Sequence, residues 1–348
     1  MDFTNPGVPS AITWRDITHA LDAEREPARL QAALEAVDDA CAGWPESLRL
    51  APGRWVRAVF TGLPEPRLRV ARGIDIVLLD LDAPGDRLAW CDAPALAHFS
   101  VVRILDARLG DAGLARWLDG ASHLGVRDLA LGSGISDRGA ARLASDARLR
   151  GLSSLALFRN RIGAEGVAAL MASPHLGRGL QRLLLGRNPL GLEGARALAA
   201  GGSGLSGLLK LDLDAGTLDG DAIEALVDAP FLESVRWLNL SNNRIGRRGC
   251  EALASCMRFG RLEQLFLHGC DIDDEAARPL LAASWLGALS NLALSGNRLS
   301  MRTVSRIAQR TDLNLDELDI CHNEFAEEQA VEVLAGAPQL AGLRRLCA

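Results

Sequence analysis

The amino-acid sequence predicts an α/β fold, a curved right-handed solenoid of about nine strand–helix units behind a mixed α/β cap at the N-terminus. Three observations lead to this prediction. A leucine pattern recurs every 26 to 28 residues, asparagine often follows it at the same position, and an alanine- and leucine-rich stretch comes next. Such self-similarity is typical of repeat architectures, in which each unit packs only against its neighbours.

The repeated pattern has the spacing LxxLxLxxNxL. Around the stretch WLNLSNNRIG it is formed by Val235, Leu238, Leu240, Asn243 and Ile245. Copies begin at residues 99, 126, 152, 180, 208, 235, 262, 289 and 315, and the first two are weaker than the rest. Nine copies in phase indicate one continuous array.

Each copy predicts a strand, a turn, a helix and a return. The second and third leucines lie two residues apart, so both point to the core side of a strand. Residues 165–173 and 193–201 then carry apolar residues at helical spacing. Parallel strands stack about 4.8 Å apart, whereas packed helices need about 8 to 10 Å. We therefore expect a horseshoe with parallel strands on the concave face and helices on the convex face.

These motifs resemble the leucine-rich repeat family, specifically its ribonuclease-inhibitor-like subtype. The subtype is indicated by the period and by IGxxG before the helical stretch, as in Ile162-Gly163-Ala164-Glu165-Gly166. The resemblance covers roughly residues 99–348. It implies a fold and a habit of binding proteins, and it implies no reaction.

The turn after each strand is predicted to depend on a buried asparagine. A primary amide has both donors and an acceptor, so it can satisfy backbone N–H and C=O groups together. This structural role is expected for Asn160, Asn188, Asn243, Asn297 and Asn323. Cys270 takes the same position in another copy, whereas Ala107, Gly134 and Gly216 depart from the pattern, and their turns are expected to be looser or differently bonded.

Residues 1–98 lack the repeat and are predicted to cap the solenoid of residues 99–348. Within the cap, residues 12–24 and 26–44 predict helices, and residues 54–60 and 74–81 predict strands.

The second of these predicted strands is a candidate degenerate first repeat. Its Ile74 lies 25 residues before Phe99, the start of the first clear copy. At the other end, a partial tenth copy with Leu343 and Leu346 predicts a final strand. That strand is either a minimal cap or an edge that pairs with a second copy in an end-to-end homodimer.

Composition favours a cytoplasmic bacterial protein. Seven cysteines, an odd number without CxxC spacing, are expected to be free thiols that fill small apolar spaces in a reducing compartment. Lys210 is the only lysine, and the excess of Ala, Gly, Leu and Arg indicates a GC-rich genome. No apolar run approaches the roughly 18 residues of a membrane span, and the first residues do not form a secretory signal peptide. Export as a host-directed effector stays open.

Sequence reasoning favours no enzyme, cofactor or metal site. The pairs His268 with Cys270 and Cys321 with His322 have suitable residue types for a metal. They belong to copies two repeats apart, about 10 Å along the strand stack, and Cys270 has a turn to support. No catalytic residues are assigned.

The outward strand positions instead predict a protein-binding surface. Large apolar side chains and basic residues occur there without being required for folding, and Trp and Arg are enriched at interface hot spots. The predicted concave-face site comprises Phe158, Arg159, Arg182, Leu184, Arg187, Lys210, Asp212, Arg236, Trp237, Asn239, Asn242, Phe266 and His268.

The first functional hypothesis is a non-enzymatic scaffold that binds an unidentified protein on this face. Regulation of an enzyme, by inhibition or by activation of a small GTPase as in one branch of the family that the sequence resembles, is the alternative, together with a bacterial effector that binds a host protein. Nucleic-acid binding is less favoured because the net charge is −6.

Overall fold

The computed structural model describes residues 8–52, 54–56, 65–77, 99–105, 109–120, 125–132, 134–177 and 179–348. The chain divides into two compact units, Met1–Ile135 with Asp146–Ser154, and Ser136–Ser145 with Leu155–Ala348. Eleven parallel strands occur in the described residues, follow one another in chain order and alternate with helices. The predicted fold class is confirmed, while the predicted division at residue 98 stays a prediction.

The strands fall into two groups by length. The strands near the N-terminus have five residues, namely β1 (Gly73–Val77), β2 (Val101–Leu105) and β3 (Asp128–Gly132). Those that follow have three, namely β4 (Ser154–Ala156), β5 (Arg182–Leu184), β6 (Lys210–Asp212), β7 (Trp237–Asn239), β8 (Gln264–Phe266), β9 (Asn291–Ala293), β10 (Glu317–Asp319) and β11 (Arg345–Cys347). The middle residue from β4 to β10 is a buried leucine.

Helices precede and separate the strands. The described helices are α1 (Ala11–Ala23), α2 (Pro27–Ala40), α3 (Gly110–Asp119), α4 (Asp137–Ala144), α5 (Ala164–Met171), α6 (Gly191–Ala200), α7 (Gly220–Leu226), α8 (Gly246–Ser255), α9 (Asp274–Ala282), α10 (Met301–Gln309) and α11 (Glu327–Ala335). Their buried side chains and the inward strand leucines form the core, as the spacing predicted.

Asn243 shows how the turns are held. Its Nδ2 donates to the carbonyl oxygens of Leu240 at 2.8 Å and Ser241 at 3.2 Å in its own turn. The same group donates to Leu213 O of the preceding repeat at 2.9 Å, and Oδ1 accepts from the Leu218 N–H at 2.9 Å. Because Asn243 is 1 % exposed, one buried amide joins two successive repeats.

The other predicted turn asparagines make the same kind of contact. Asn188, Asn297 and Asn323 each donate to carbonyls of their own turn and of the preceding repeat, and each accepts a backbone N–H from the preceding repeat. Asn160 donates to Leu157 O at 2.9 Å. In each of these turns the side-chain amide bonds to backbone carbonyls.

Two positions without asparagine are bonded differently, as was expected for Gly216. The Cys270 thiol donates to Leu240 O of the preceding repeat at 3.3 Å, and burial raises the pKa of Cys270 to about 12, which keeps it a neutral donor. The Gly216 main-chain oxygen accepts from the N–H groups of Leu190 and Gly191, both at 3.1 Å, in place of a side-chain oxygen. Gly134 has a φ of +75°. Ala107 lies outside the described residues.

The N-terminal unit corrects two strand predictions. Residues 54–56 are helical because the Pro52 carbonyl begins a helical turn, and residues 57–60 lie outside the described residues. The strand predicted over 74–81 corresponds to β1 up to Val77, and residues 78–81 lie outside the described residues. Ile74 pairs with Val102, so its predicted alignment with Phe99 was wrong. The long apolar run fits several registers, and pairing decides among them. The predicted helices correspond to α1 and to α2, which stops at Ala40.

A buried arginine, which the sequence pattern did not mark, ties the N-terminal unit together. Arg49 is 2 % exposed and donates to Asp38 at 2.5 Å, to Val70 O at 2.6 Å and to Cys41 O at 3.0 Å. Arg72 donates to the same Asp38 oxygen at 2.7 Å. Burial alone would raise the pKa of Asp38, but the hydrogen bond from Arg49 and the charge of Arg72 outweigh it and lower that pKa.

We expect Asn243→Ala to lower the free energy of unfolding by about 2 to 4 kcal/mol, because it leaves buried backbone groups of two repeats without partners. The matched variant is Asn242→Gly. Asn242 is exposed with a φ of 58°, so glycine fits and the change should stay within about 0.5 kcal/mol. Urea unfolding followed by circular dichroism measures both. Equal losses in the two variants would contradict the structural assignment.

Asp38→Asn should destabilise the protein at neutral pH by on the order of 1 kcal/mol, a value kept small because Asp38 is 35 % exposed. The pKa of Asp38 is lowered in the folded state, so its contribution is present above the ordinary value of 3.8 and is lost as pH falls through the folded value. Urea unfolding of both proteins from pH 7 downward should show the difference shrinking below pH 3.8. A difference independent of pH would count against this ion pair.

Candidate functional site

The strand face is the side of the sheet opposite the leucine core in the second unit. Outward residues of neighbouring strands stand side by side there, because Lys210 pairs with Trp237 and Asn239 pairs with Phe266 in the strand register. Each of these strands presents its first and third side chains to this face, since successive side chains alternate.

Aromatic and cationic side chains form the most apolar part of the strand face. The Trp237 and Phe266 ring centroids lie 5.0 Å apart at an interplanar angle of 42°. The Lys210 Nζ lies 3.7 Å from the Trp237 ring centroid, within the range of a cation–π contact, and the His268 ring lies 6.1 Å from Phe266. These four residues, the aromatic cluster, are half-buried rather than fully exposed because they cover one another.

The surroundings of Lys210 in this cluster disfavour its charged form. Burial lowers the pKa of Lys210, the neighbouring Arg182 adds to that effect, and Asp212 opposes it. The charged amine is thus partly desolvated against the face of an indole ring, a setting in which cation–π attraction is stronger than in water.

A row of polar side chains runs beside the cluster. Asn239 Nδ2 donates to Asp212 Oδ1 at 3.1 Å, and Asn242 Nδ2 donates to Asp214 Oδ1 at 2.6 Å. Arg187 Nε lies 3.4 Å from the other Asp214 oxygen. Burial raises the pKa of Asp212, a direction opposed by the hydrogen bond from the Asp214 N–H. These hydrogen bonds hold the donors and acceptors of the row in place in the absence of a partner.

Asn242 lies on the surface, as predicted, because the residue before each turn position adopts a left-handed backbone. Its φ is 58°, and the equivalent Arg159, Arg187 and His322 have φ values of 56°, 59° and 55°. This conformation turns the side chain away from the core while the following residue enters it. The pair Asn242 and Asn243 therefore comprises one surface residue and one scaffold residue.

The remaining predicted site residues spread along the face. Phe158 and Leu184 are half-buried, and Arg159 and Arg182 are exposed. Arg236 is also exposed and forms an ion pair with Glu263.

The predicted site left out some polar members of this face. Asp214 follows β6 by two residues, the same position relative to its strand that His268 has after β8. That equivalent position is the sequence signal that marks Asp214 as part of the face. Asn291 Nδ2 donates to Glu317 Oε2 at 2.6 Å further along the face.

One pair of cysteines is oxidised, which corrects the expectation of free thiols throughout. A disulfide joins Cys321 and Cys347, whose Cα atoms lie 5.4 Å apart. They are 26 residues apart, about one repeat, so the pairing of β10 with β11 places them on neighbouring strands. Among the described cysteines, Cys41, Cys250, Cys256 and Cys270 are free and buried, in the filler role expected of them.

A pocket of about 240 Å³ opens on the strand face beyond the aromatic cluster. It is lined on one side by Phe266 and His268, and on the other by Glu317, Asp319 and Cys347. The small side chain of Ala293 on β9 lies between these two sides and leaves the space open.

Comparisons with known proteins bear on the repeat. Residues 151–171 and 233–254 match the family described as "Leucine Rich repeat". The ribonuclease-inhibitor-like subtype and the bacterial origin of the chain stay predictions. No curated protein matches the chain.

A solved structure described as "Plant peptide hormone receptor RGFR1 in complex with RGF2" is 16 % identical and aligns with a TM-score of 0.38. The match covers 73 % of this chain and 44 % of that chain, so this chain spans less than half of the receptor's length.

Among the described residues, no helix combines the length and apolar character that crossing a bilayer requires.

We expect Trp237→Ala and Phe266→Ala each to lower the free energy of unfolding by only about 1 kcal/mol, because both side chains are partly exposed and lie outside the leucine core. Leu238→Ala is the matched core variant. Leu238 is 1 % exposed, and its truncation should cost about 2 to 5 kcal/mol. Urea unfolding compares the three. If the aromatic variants lost as much as the leucine variant, the strand face would be part of the core instead of a free surface.

Proposed function

We propose that this protein is a non-enzymatic scaffold that binds a partner protein on its strand face. The observation that supports the proposal is the aromatic cluster, where Trp237 and Phe266 are stacked and Lys210 lies over the indole. These side chains lie outside the leucine core. Partly exposed aromatic groups held in a fixed arrangement are typical hot-spot residues, since little side-chain entropy is lost when they bind.

The charges around the cluster favour a protein over a nucleic acid. Several cations already have acidic neighbours, as Arg187 has Asp214 and Arg236 has Glu263. Further along the face, Glu317 and Asp319 add negative charge at β10. Nucleic-acid affinity rests on cations that neutralise phosphates, whereas a face of mixed sign suits a partner of complementary mixed sign.

The proposed partner segment carries an apolar or aromatic side chain. It would pack against Trp237 and Phe266, while the polar row from Asp212 to Asn242 would meet backbone or polar side-chain groups of the same segment. This division into an apolar centre and a polar rim is the usual anatomy of protein interfaces.

Three more specific roles are alternatives to this proposal. Inhibition of an enzyme, activation of a small GTPase, and action as a bacterial effector on a host protein are alternatives drawn from the resemblance alone. A GTP-hydrolysis assay with candidate GTPases distinguishes the second. Cytoplasmic location fits the buried free thiols, while the disulfide requires oxidising conditions. An end-to-end homodimer through β11 stays a hypothesis for solution-size measurement.

The test is affinity capture from a lysate of the source organism, with wild type and Trp237→Ala/Phe266→Ala immobilised side by side and the captured proteins identified by mass spectrometry. A protein held by wild type is then purified and titrated against both. We expect the double variant to bind at least about 30-fold more weakly, because losing two hot-spot side chains costs about 2 kcal/mol or more.

The matched control is Met257→Ala/Val331→Ala. These apolar side chains are 94 % and 45 % exposed but lie outside the strand face, so their removal should leave binding unchanged. A partner that binds the aromatic double variant as tightly as wild type would place the binding site elsewhere on the protein.

A further inference from the structure

Metal-type side chains from three repeats lie at or beside the pocket beyond the aromatic cluster. His268 Nδ1 lies 3.6 Å from Asp319 Oδ2, although these residues belong to β8 and β10 repeats. The other Asp319 oxygen accepts from the Cys321 N–H at 3.2 Å, which fixes the carboxylate with one oxygen toward the histidine. Ser295 Oγ contacts the same His268 nitrogen.

Asp319 also lies close to two sulfur atoms, in a group of three that does not include His268. One carboxylate oxygen of Asp319, the Cys321 sulfur and the Cys347 sulfur all lie within 4.8 Å of one another. His268, Asp319 and Cys347 also line the same pocket of about 240 Å³. An imidazole, a carboxylate and two sulfurs form a ligand set that suits tetrahedral Zn²⁺.

The sequence argument against a metal site treated His268 with Cys270, and Cys321 with His322, as fixed pairs. In the structure the Cys270 thiol is hydrogen-bonded in its turn and His322 is exposed. The ligands instead come from a different combination. His268 reaches across β9 because Ala293 is small, and Cys347 arrives from the adjacent β11.

We propose that, when the Cys321–Cys347 disulfide is reduced, the two thiolates bind a zinc-type divalent cation together with Asp319 and His268. The disulfide is then the oxidised, metal-free state of the same site. Two thiolates on a tetrahedral Zn²⁺ with Zn–S bonds of about 2.3 Å stand about 3.8 Å apart, a separation that reduction of the S–S bond permits. The 3.6 Å between His268 and Asp319 is close to the spacing of two ligands on one ion.

Ordinary cellular thiols can reduce the Cys321–Cys347 disulfide. A dithiol reductant supplies two electrons and two protons, which break the S–S bond and leave two thiols while the reductant becomes a disulfide. Binding of the cation displaces both thiol protons, so the metal is held by thiolates. Cys347 is exposed, which gives the reductant access to its sulfur. This site does not depend on the proposed partner-binding function.

Cobalt(II) is the probe, because tetrahedral thiolate ligation gives it visible absorption and a thiolate-to-cobalt charge-transfer band. The protein is reduced with a phosphine, desalted without oxygen and titrated with Co²⁺ and then with Zn²⁺. We expect one Co²⁺ per chain, displaced by Zn²⁺, in the reduced protein, and no thiolate band in the oxidised protein. Cys347→Ser should lose most of the charge-transfer band, and His268→Ala should weaken binding by at least about tenfold.

Cys256→Ser, which removes a buried cysteine outside the site, is the matched control and should behave as wild type. A second measurement needs no variant: Zn²⁺ should protect Cys321 and Cys347 of the reduced wild type from alkylation, read by mass spectrometry. Absence of stoichiometric Co²⁺ binding, an unchanged band in folded Cys347→Ser, or equal alkylation with and without Zn²⁺ would overturn the proposal.

Discussion

The hydrogen bonds of the buried turn side chain are the interaction on which the other features depend. Where the chain leaves a three-residue strand, backbone groups lose their ladder partners inside the core. Asn243 satisfies such groups in two successive repeats with one amide, and Asn188 and Asn297 do the same in their own positions. An unsatisfied buried backbone group costs about 1 to 3 kcal/mol. Side-chain hydrogen bonds, as well as packing, therefore determine which residue each such turn requires.

This arrangement separates folding from recognition. The inward leucines and turn amides hold the repeats, which leaves the outward strand positions free to carry other residues. Trp237, Phe266 and Lys210 occupy such positions, and the left-handed backbone at Asn242 sends that side chain outward while Asn243 enters the core. A surface assembled from equivalent positions of successive repeats can be varied at one repeat without disturbing its neighbours.

Sequence predicts the parts of this molecule that depend on the repeat. Strand order, inward leucines and turn asparagines follow from one spacing, and the outward site residues follow from alternation. Contacts that the repeat does not encode were missed or misplaced. The register of Ile74 depended on pairing within a long apolar run, and the burial of Arg49 depended on Asp38 and carbonyls distant in sequence. The approach of His268 to Asp319 depended on a small residue between them.

Hydrogen exchange of the native wild-type protein measures directly whether the turn asparagines hold neighbouring repeats together. The N–H groups of Ile162, Leu218 and Leu299 lie in turns, yet each donates to a turn asparagine of the next repeat at 3.0, 2.9 and 3.0 Å. We predict that these amides exchange as slowly as the buried strand amides. Exchange at the rate of exposed loop amides would show that the side-chain amides do not hold the repeats together.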